Sequence, residues 1–151
     1  MPVALLVREA GPFDAGVLAG LHRECFALAW DETAMAQFAA SPEVLCLIGS
    51  VAGGAGAAPA GFLIVRKAGD EAEILTLGVA PSCRNRGLGR ALLQTAIDLL
   101  RAGGTKWLFL EVETGNEAAL RLYRSFGGEG VGRRTGYYEH GADAAIFSLA
   151  L

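Results

Sequence analysis

The sequence has little of what marks several special classes of protein. It contains three cysteines with no CxxC spacing and only two histidines, so it offers neither a disulfide framework nor a metal-ligand set. The scattered cysteines indicate reduced thiols in a cytoplasm. No apolar run approaches the ~18 residues of a membrane span. The apolar run at the N-terminus is short and broken by Arg8 and Glu9, so it predicts no signal peptide.

Positive charge is also scarce. The formal net charge is -3 and the pI is near 5.4. A nucleic-acid-binding domain usually carries a basic surface, so this balance argues against such a protein. An acidic protein of this kind favours a basic peptide as its partner.

What is present suits one globular domain over residues 1–151, with 52% hydrophobic residues. Apolar periodicity predicts four helices, at 13–26, after Asp31, at 87–102 and at 116–126. Seven strands are predicted at 3–7, 44–51, 61–67, 73–79, 106–113, 132–138 and 144–149. The glycine-rich stretch 52–60 is predicted to be a flexible connection. The order β-α-α-β-β-β-α-β-α-β-β indicates a mixed α/β domain.

Two local patterns refine this prediction. "KWLFLEVE", 106–113, is nearly continuously apolar up to Glu111, which predicts a central strand covered on both faces. Thr114 and Glu117 fit a T-x-x-E capping box for the helix that follows.

"RNRGLGR", 84–90, is the stretch most suggestive of a ligand. It lacks the lysine of a Walker loop and the third glycine of a dinucleotide fingerprint. Gly87 and Gly89 would allow close approach of a ligand to the backbone, at the start of a helix whose first N–H groups are unpaired. With Arg84, Arg86 and Arg90 they predict a pyrophosphate cradle. The alternative is an ordinary glycine-rich helix start with solvated arginines.

The stretch "LGVAPSCRNRGLGRALL" resembles the acetyl-CoA motif of the GNAT acetyltransferases, with Arg84, Gly87 and Gly89 in the R-x-x-G-x-G positions. The resemblance implies the GNAT acyl-CoA N-acyltransferase fold, an α/β fold with a mixed central sheet, splayed parallel strands and flanking helices. It also implies that the strand before the motif ends in a bulge. The residues implied to hold pantetheine are Leu77, Gly78 and Val79, and those implied to hold the pyrophosphate are Asn85, Arg86, Gly87, Leu88, Gly89 and Arg90.

"LEVETGNEAALRLYRSFG", 110–127, followed by "RRTGYY", resembles the ribosomal-protein alanine acetyltransferases of the RimI type. The resemblance implies that Glu111 accepts the proton of the attacking amine, that Tyr123 donates to the departing thiolate and that Asn116 contacts CoA. Asn116 and Tyr123 are seven apart, which places them on one helix face about 10 Å apart. From the residues alone, Tyr123 could equally be a core residue and Glu111 the partner of an arginine.

The implied function is direct transfer of acetyl from acetyl-CoA to the N-terminal alanine of a small-subunit ribosomal protein, with a basic residue close behind. The acceptor site would involve Trp30, Tyr137 and Tyr138, although the two tyrosines could instead simply pair across strands. Alternatives are a relative acting on lysine or a small amine, and a non-catalytic acetyl-CoA-binding module.

Other features depart from the family or are less favoured as chemistry. Gly128 replaces an aromatic residue of the family, and with Gly130 and Gly132 it predicts a sixth strand that starts late or flexes. His22 and His140 are expected to be solvated. Cys83 is the least favoured candidate for chemistry because no base is evident near it.

Overall fold

The computed structural model describes residues 4–53, 56–138 and 141–151, which form a seven-stranded sheet with helices on both faces. The strands are β1 Ala4–Glu9, β2 Val44–Gly53, β3 Gly56–Ala68, β4 Glu71–Val79, β5 Trp107–Glu113, β6 Glu129–Arg134 and β7 Ala144–Ala150. The α-helices are α1 Ala15–Cys25, α2 Glu32–Ala40, α3 Leu88–Ala102 and α4 Glu117–Ser125. Short 3-10 turns at Pro12–Asp14 and Pro81–Cys83 precede α1 and α3. The predicted order of elements is confirmed.

The sheet is mixed, as predicted. Its strand order is β1-β2-β3-β4-β5-β7-β6, and β4 and β5 are its one parallel pair among the described strands. The connection between these two strands is α3, which is the crossover that a parallel pair requires. Because β7 inserts between β5 and β6, β7 lies inside the sheet and β6 lies at its edge.

Two hydrophobic clusters cover the two faces of the sheet. One packs α3 and α4 against the sheet and includes Leu92, Leu93, Leu100, Leu108, Leu110, Leu120 and Phe147. The other packs α1 and α2 against the opposite face and includes Leu18, Met35, Ile48, Phe62 and Ile64. Within the described ranges, no helix is long and apolar enough to cross a membrane.

Strands β2 and β3 are antiparallel neighbours, as the predicted hairpin connection 52–60 requires, but the described residues of that stretch are paired rather than flexible. These residues extend β2 to Gly53 and begin β3 at Gly56, and Pro59 pairs with Ser50. The register steps from Gly49↔Gly61 to Ser50↔Pro59, which leaves one residue of β3 unpaired as a bulge. Proline is tolerated in a strand beside such a bulge, so composition alone misjudged the segment.

Strand β5 is central but not covered on both faces. Its burial alternates along the strand, and Trp107 is 44% exposed. The side chains of Leu108, Leu110 and Val112 enter the core, whereas those of Phe109 and Glu111 lie on the half-open opposite face. The nearly continuous apolar sequence of β5 therefore does not reveal that one face of the strand is buried and the other is half open.

The sixth strand does not start late. It begins at Glu129, directly after Gly128, and the predicted span 132–138 is wrong. A Cβ at Gly128 would lie 2.7 Å from the carbonyl oxygen of Tyr123, so a glycine is needed where the chain leaves α4. The irregularity in the strand lies between Gly130 and Gly132, where the pairing with β7 skips a residue.

Helix α4 is not started by the predicted capping box. Its N-cap is Asn116, whose side-chain oxygen accepts a hydrogen bond from the Ala119 N–H at 3.1 Å. Asparagine is among the preferred N-cap residues, so it displaces Thr114 from that role. By contrast, Asp31 caps α2 as predicted, accepting from the Ala34 N–H at 2.9 Å.

His22 is buried rather than solvated. Only 3% of it is exposed, and its ring stacks on Phe26 and Trp30 at centroid distances of 4.6 and 4.9 Å. Nδ1 accepts the Trp30 N–H at 3.1 Å, so the neutral ring carries its proton on Nε2, 3.3 Å from the Thr76 hydroxyl. Both ring nitrogens are thus satisfied, and burial lowers the pKa of His22. The second predicted histidine, His140, lies outside the described residues.

Candidate active site

A gap opens in the sheet between its two parallel strands. β4 and β5 pair only at Glu71↔Trp107, Ala72↔Leu108 and Glu73↔Phe109. Beyond these positions β4 continues to Val79 and β5 to Glu113 without pairing with each other. The predicted splay of the parallel strands is therefore confirmed.

The backbone of β4 presents two residues to this gap. The Ala80 N–H bonds the Ala60 carbonyl of β3 at 2.7 Å. Because hydrogen bonding alternates along an antiparallel pair, Gly78 also points toward β3, while Leu77 and Val79 point toward the gap. Of the three residues predicted to hold pantetheine, Leu77 and Val79 are thus the ones whose backbone faces the gap.

The expected bulge lies earlier in β4 than predicted. The register with β3 steps from Ile64↔Thr76 to Val65↔Ile74, so the extra residue is Leu75, and the strand end at Val79 pairs regularly. A bulge bends its strand and increases the local twist. It falls just beyond Glu73, where the pairing of β4 with β5 stops, and it accounts for the divergence of the two strands.

The glycine motif forms the start of a long helix at the end of β4. Asn85 and Gly87 have φ values of 63° and 86°, so the loop turns through the left-handed region before α3 begins at Leu88. The first helical bond runs from the Ala91 N–H to the Gly87 carbonyl at 3.0 Å. The amides of Leu88, Gly89 and Arg90 precede it and have no partner within the helix.

Two of the three arginines of the motif contact the protein. The Nε of Arg84 donates to the Val79 carbonyl at 3.0 Å, on the side of β4 that faces the gap. Arg90 donates to the Ser125 hydroxyl at 2.7 Å and lies 5.0 Å from the centre of the Phe126 ring. Arg86 is exposed. The loop therefore exposes backbone amides, and Arg86 is the arginine of the motif whose side chain is best available to a ligand.

Glu111 lies on the other strand of the gap and is held by two side chains. Arg134 of β6 approaches its Oε1 with Nη1 at 3.2 Å, and Tyr137 makes a side-chain hydrogen bond to it. That bond to the carboxylate raises the pKa of Tyr137. The guanidinium of Arg134 also stacks 5.4 Å from the centre of the Tyr137 ring. The arginine pairing considered from the sequence is therefore present.

Tyr123 is buried beneath the same region. It is 5% exposed and belongs to the core cluster of α3 and α4. Burial raises its pKa above the ordinary value, with a smaller electrostatic contribution from Tyr138. The pKa of Tyr138 is itself raised, first by burial and then by Glu111 and Tyr137. Tyr138 is thus electrostatically coupled to both predicted catalytic residues.

A groove of about 290 Å³ adjoins Glu111 on the face shared with α1 and α2. Two further carboxylates, Glu71 and Glu73, line it together with Arg66 and Arg134. Because Arg134 is paired with Glu111, the rest of the groove contributes two negative charges against one positive charge.

The remaining predicted site residues lie at the borders of this region. Asn116 uses its side-chain oxygen to cap α4, which leaves its amide nitrogen for a ligand. Trp30 lies in the loop between α1 and α2. Its ring stacks on His22, and its ring centroid is 5.1 Å from that of Phe38, so it belongs to an aromatic cluster. Tyr137 and Tyr138 follow β6, with ring centroids 5.1 Å apart.

Arg134 is the site residue that sequence reasoning missed. It is one of two adjacent arginines, and alternation along β6 turns them to opposite faces. Arg133 bonds Asp143, and Arg134 bonds Glu111. The alternation of side chains along β6 could have shown that Arg134 faces Glu111, but only with the correct bounds for that strand. No cluster of three or more potential metal ligands occurs in the part of the chain that the structure describes.

Comparison with known proteins identifies the class to which this fold and site belong. The model of the acetyltransferase (GNAT) family matches residues 17–127. The chain therefore belongs to the GNAT acetyltransferase family.

Within that family the chain is similar to enzymes that acetylate protein N-termini. It is 49% identical over 75 residues to N-alpha-acetyltransferase RimI of Mycobacterium tuberculosis, covering 49% of this chain and 46% of that protein. It is 39% identical over 95 residues to the ribosomal protein bS18-alanine N-acetyltransferase of Escherichia coli K12, covering 61% of this chain and 64% of that protein. The matched region thus spans about half to two thirds of these relatives' length.

Solved structures extend the similarity over nearly the whole chain. The crystal structure of the ribosomal-protein-S18-alanine N-acetyltransferase from Escherichia coli superimposes with a TM-score of 0.85 and 29% identity, covering 97% of this chain and 94% of that one. Arabidopsis thaliana NAA60 in complex with acetyl-CoA has the same fold, with a TM-score of 0.84, 20% identity and coverage of 98% and 99%.

Proposed function

We propose that this protein is an acetyl-CoA-dependent Nα-acetyltransferase that acts on the N-terminal alanine of a small-subunit ribosomal protein. The observation that carries the proposal is the gap between β4 and β5, which has Glu111 on one strand and the α3 N-terminus at the end of the other. The similarity to the bS18-alanine N-acetyltransferase of Escherichia coli supports the choice of acceptor.

The gap and the glycine motif fit acetyl-CoA. Extended pantetheine carries amide groups that can pair with a free strand edge, and Leu77 and Val79 offer such an edge. The diphosphate suits the amides of Leu88, Gly89 and Arg90, because the N-terminus of this 15-residue helix carries partial positive charge. Asn116 and Arg86 would add side-chain contacts. Bound there, acetyl-CoA supplies the thioester whose carbonyl carbon the acceptor amine attacks.

Glu111 would act on the acceptor amine. An α-amine has a pKa near ~8, so much of it is protonated at neutral pH and must lose a proton before or during attack. A carboxylate at the edge of the gap can accept that proton directly or through water. As the C–N bond forms, negative charge develops on the carbonyl oxygen, and the N–H of Val79 faces the gap where it could stabilise that charge.

Tyr123 would act on the leaving group. The C–S bond then breaks and the sulfur departs as a thiolate. Because burial raises the pKa of Tyr123, the hydroxyl keeps its proton throughout the neutral range. A thiol is the stronger acid, with a pKa near ~8.5, so Tyr123 acts best by hydrogen bonding to the sulfur while the bond breaks.

The groove beside Glu111 supports a basic acceptor. An extended peptide whose amine meets Glu111 can follow this groove, and its residues rise ~3.3 Å each. Glu71 and Glu73 then attract cationic side chains near the terminus.

The test is CoA release from acetyl-CoA with two matched basic peptides. One has a free N-terminal alanine, and the other has that terminus blocked and a lysine added. Release with the free terminus alone is the expected result. Release with lysine alone would move the activity to side-chain amines, and silence with both would direct attention to small amines and then to a non-catalytic acetyl-CoA-binding module.

Glu111→Gln should slow turnover at least about 100-fold, because a carboxamide cannot accept the amine proton and general-base catalysis contributes ~10²–10⁴-fold. Acetyl-CoA affinity should stay near normal, measured by the ligand-induced rise in unfolding temperature. Glu113→Gln, two residues along the same strand, is the matched control. Unchanged turnover in Glu111→Gln would remove Glu111 from the role.

A further inference from the structure

The carboxylate of Glu111 is held from one side of the sheet by two groups of different character. Arg134 supplies a charged donor at 3.2 Å, and Tyr137 supplies a hydroxyl. The two also contact each other, since the guanidinium lies over the tyrosine ring. Glu111 retains 19% side-chain exposure, so the clamp leaves part of the carboxylate accessible.

The chain on both sides of Tyr137 is itself held in place. Asp143 accepts hydrogen bonds from the Arg133 guanidinium and, at 2.8 Å, from the Gly136 N–H. The Tyr138 N–H bonds the Ala142 carbonyl at 3.2 Å. These bonds fix the described part of the β6–β7 connection, so the clamp on Glu111 rests on an ordered support.

We propose that Arg134 is a positioning residue for the acetyl transfer: with Tyr137 it holds the Glu111 carboxylate in the orientation in which it meets the acceptor amine. This inference rests on the proposed function. The Arg134–Glu111 ion pair restrains the carboxylate electrostatically at 3.2 Å, and a planar guanidinium fixes its partner better than an ammonium does. Arg134 acts through Glu111 and need not touch either substrate.

The magnitude follows from the sensitivity of proton transfer to geometry. A misplacement of about 1 Å can cost on the order of 100-fold in rate. Without Arg134, Glu111 keeps one of its two restraining groups. We therefore expect Arg134→Gln to lower kcat by about 10- to 100-fold, with little change in the KM for acetyl-CoA.

The first experiment compares Arg134→Gln with Arg134→Lys and Arg8→Gln in steady-state assays with the alanine peptide. Arg8→Gln is a matched control, because the Arg8–Asp14 pair has side-chain exposures of 54% and 20% against 58% and 19% for Arg134–Glu111. Arg8 lies on the edge strand β1, at the far side of the sheet. Both glutamine variants should lose similar, small amounts of thermal stability, but only Arg134→Gln should lose kcat. Arg134→Lys should recover part of it.

A double-mutant cycle tests whether Arg134 acts through Glu111. If it does, adding Arg134→Gln to Glu111→Gln should slow the reaction by less than about twofold further. If Arg134 instead binds the acceptor directly, the two effects multiply and the loss appears in the KM for peptide, which overturns the proposal.

The remaining outcomes separate this inference from the proposed function. A wild-type protein that acetylates the alanine peptide, with Arg134→Gln equally fast, refutes the positioning role and leaves the function standing. A wild-type protein silent toward every free N-terminus refutes the function, and the positioning role falls with it. A kcat loss in Arg134→Gln that Arg8→Gln shares would indicate a general stability effect and also overturn the inference.

Discussion

Two glycines of the RNRGLGR motif, only two positions apart, should respond in opposite ways to alanine. Gly87 has a φ of 86°, in the left-handed region, whereas no positive φ occurs at Gly89, inside the first turn of α3. The room available for an added Cβ is similar at the two positions. A Cβ at Gly87 would lie 3.7 Å from Leu5, and one at Gly89 would lie 3.7 Å from Leu122 and 3.9 Å from Val79. The difference must therefore come from backbone conformation.

The magnitudes follow from that difference. Alanine in the left-handed region costs about 1–2 kcal/mol, so Gly87→Ala should lower the unfolding temperature by about 2–8 °C at ~2–4 °C per kcal/mol. Alanine in a helix is better than glycine by up to about 1 kcal/mol, so Gly89→Ala should raise the temperature by up to about 4 °C.

The assay is thermal unfolding with and without acetyl-CoA. A ligand at 100 times its dissociation constant stabilises a protein by about 2.7 kcal/mol, and tenfold weaker binding reduces this to about 1.4 kcal/mol. Gly87→Ala should show the smaller gain, because the loop it strains presents the helix amides to the diphosphate. Gly89→Ala should keep the full gain, because alanine retains the N–H and its Cβ would lie against Leu122 and Val79.

Two results would refute this reasoning. Equal stability of Gly87→Ala and wild type would mean that the loop adopts another path. A full acetyl-CoA response in Gly87→Ala would mean that the loop does not carry the diphosphate, whatever its effect on stability.

Three further predictions concern the surroundings of the site. Gly78→Ala should lower the free energy of unfolding by about 1–3 kcal/mol, because its Cβ would lie 2.6 Å from Phe62; urea denaturation with unchanged stability would contradict it. Asn116→Ala should cost about 1 kcal/mol and Thr114→Ala almost nothing, as the observed N-cap requires; equal losses would contradict the assignment. Burial lowers the pKa of His22, so as pH falls below 7 the unfolded chain binds its proton first and stability declines. Urea denaturation at pH 7 and 5 should show this decline weakened in His22→Gln, and an identical decline would assign it elsewhere.

The order of elements and the position of the glycine loop before α3 could be predicted from the sequence because both depend on local patterns. Apolar periodicity found α3 and most strands, and the glycine spacing found the loop at 84–87. Family resemblance added the splay of β4 and β5, which no local pattern encodes. The site residues Glu111 and Tyr123 were found in the same way, and their catalytic roles stay predictions.

Several of the misses share one physical cause, which is that the deciding contact lies outside the segment itself. Pro59 is accepted in a strand because a bulge in β3 adjusts its register with β2. His22 is buried because Thr76, 54 residues away, and an aromatic cluster satisfy its ring. Arg134 and Glu111 lie on strands with β7 between them, and their side chains meet across it. Composition and periodicity describe one segment at a time, so they contain no information about these contacting residues.

The short contact between β4 and β5 divides the sheet into two bodies joined at a seam of three residue pairs. Strands β1 to β4 form one body, which carries the backbone edge proposed to hold pantetheine and leads into α3. Strands β5, β7 and β6 form the other, which carries Glu111 and Arg134. The carboxylate and its clamp therefore belong to the same body. A molecule lying in the gap would take the place of a missing strand. Its binding would then also connect the two halves of the sheet mechanically.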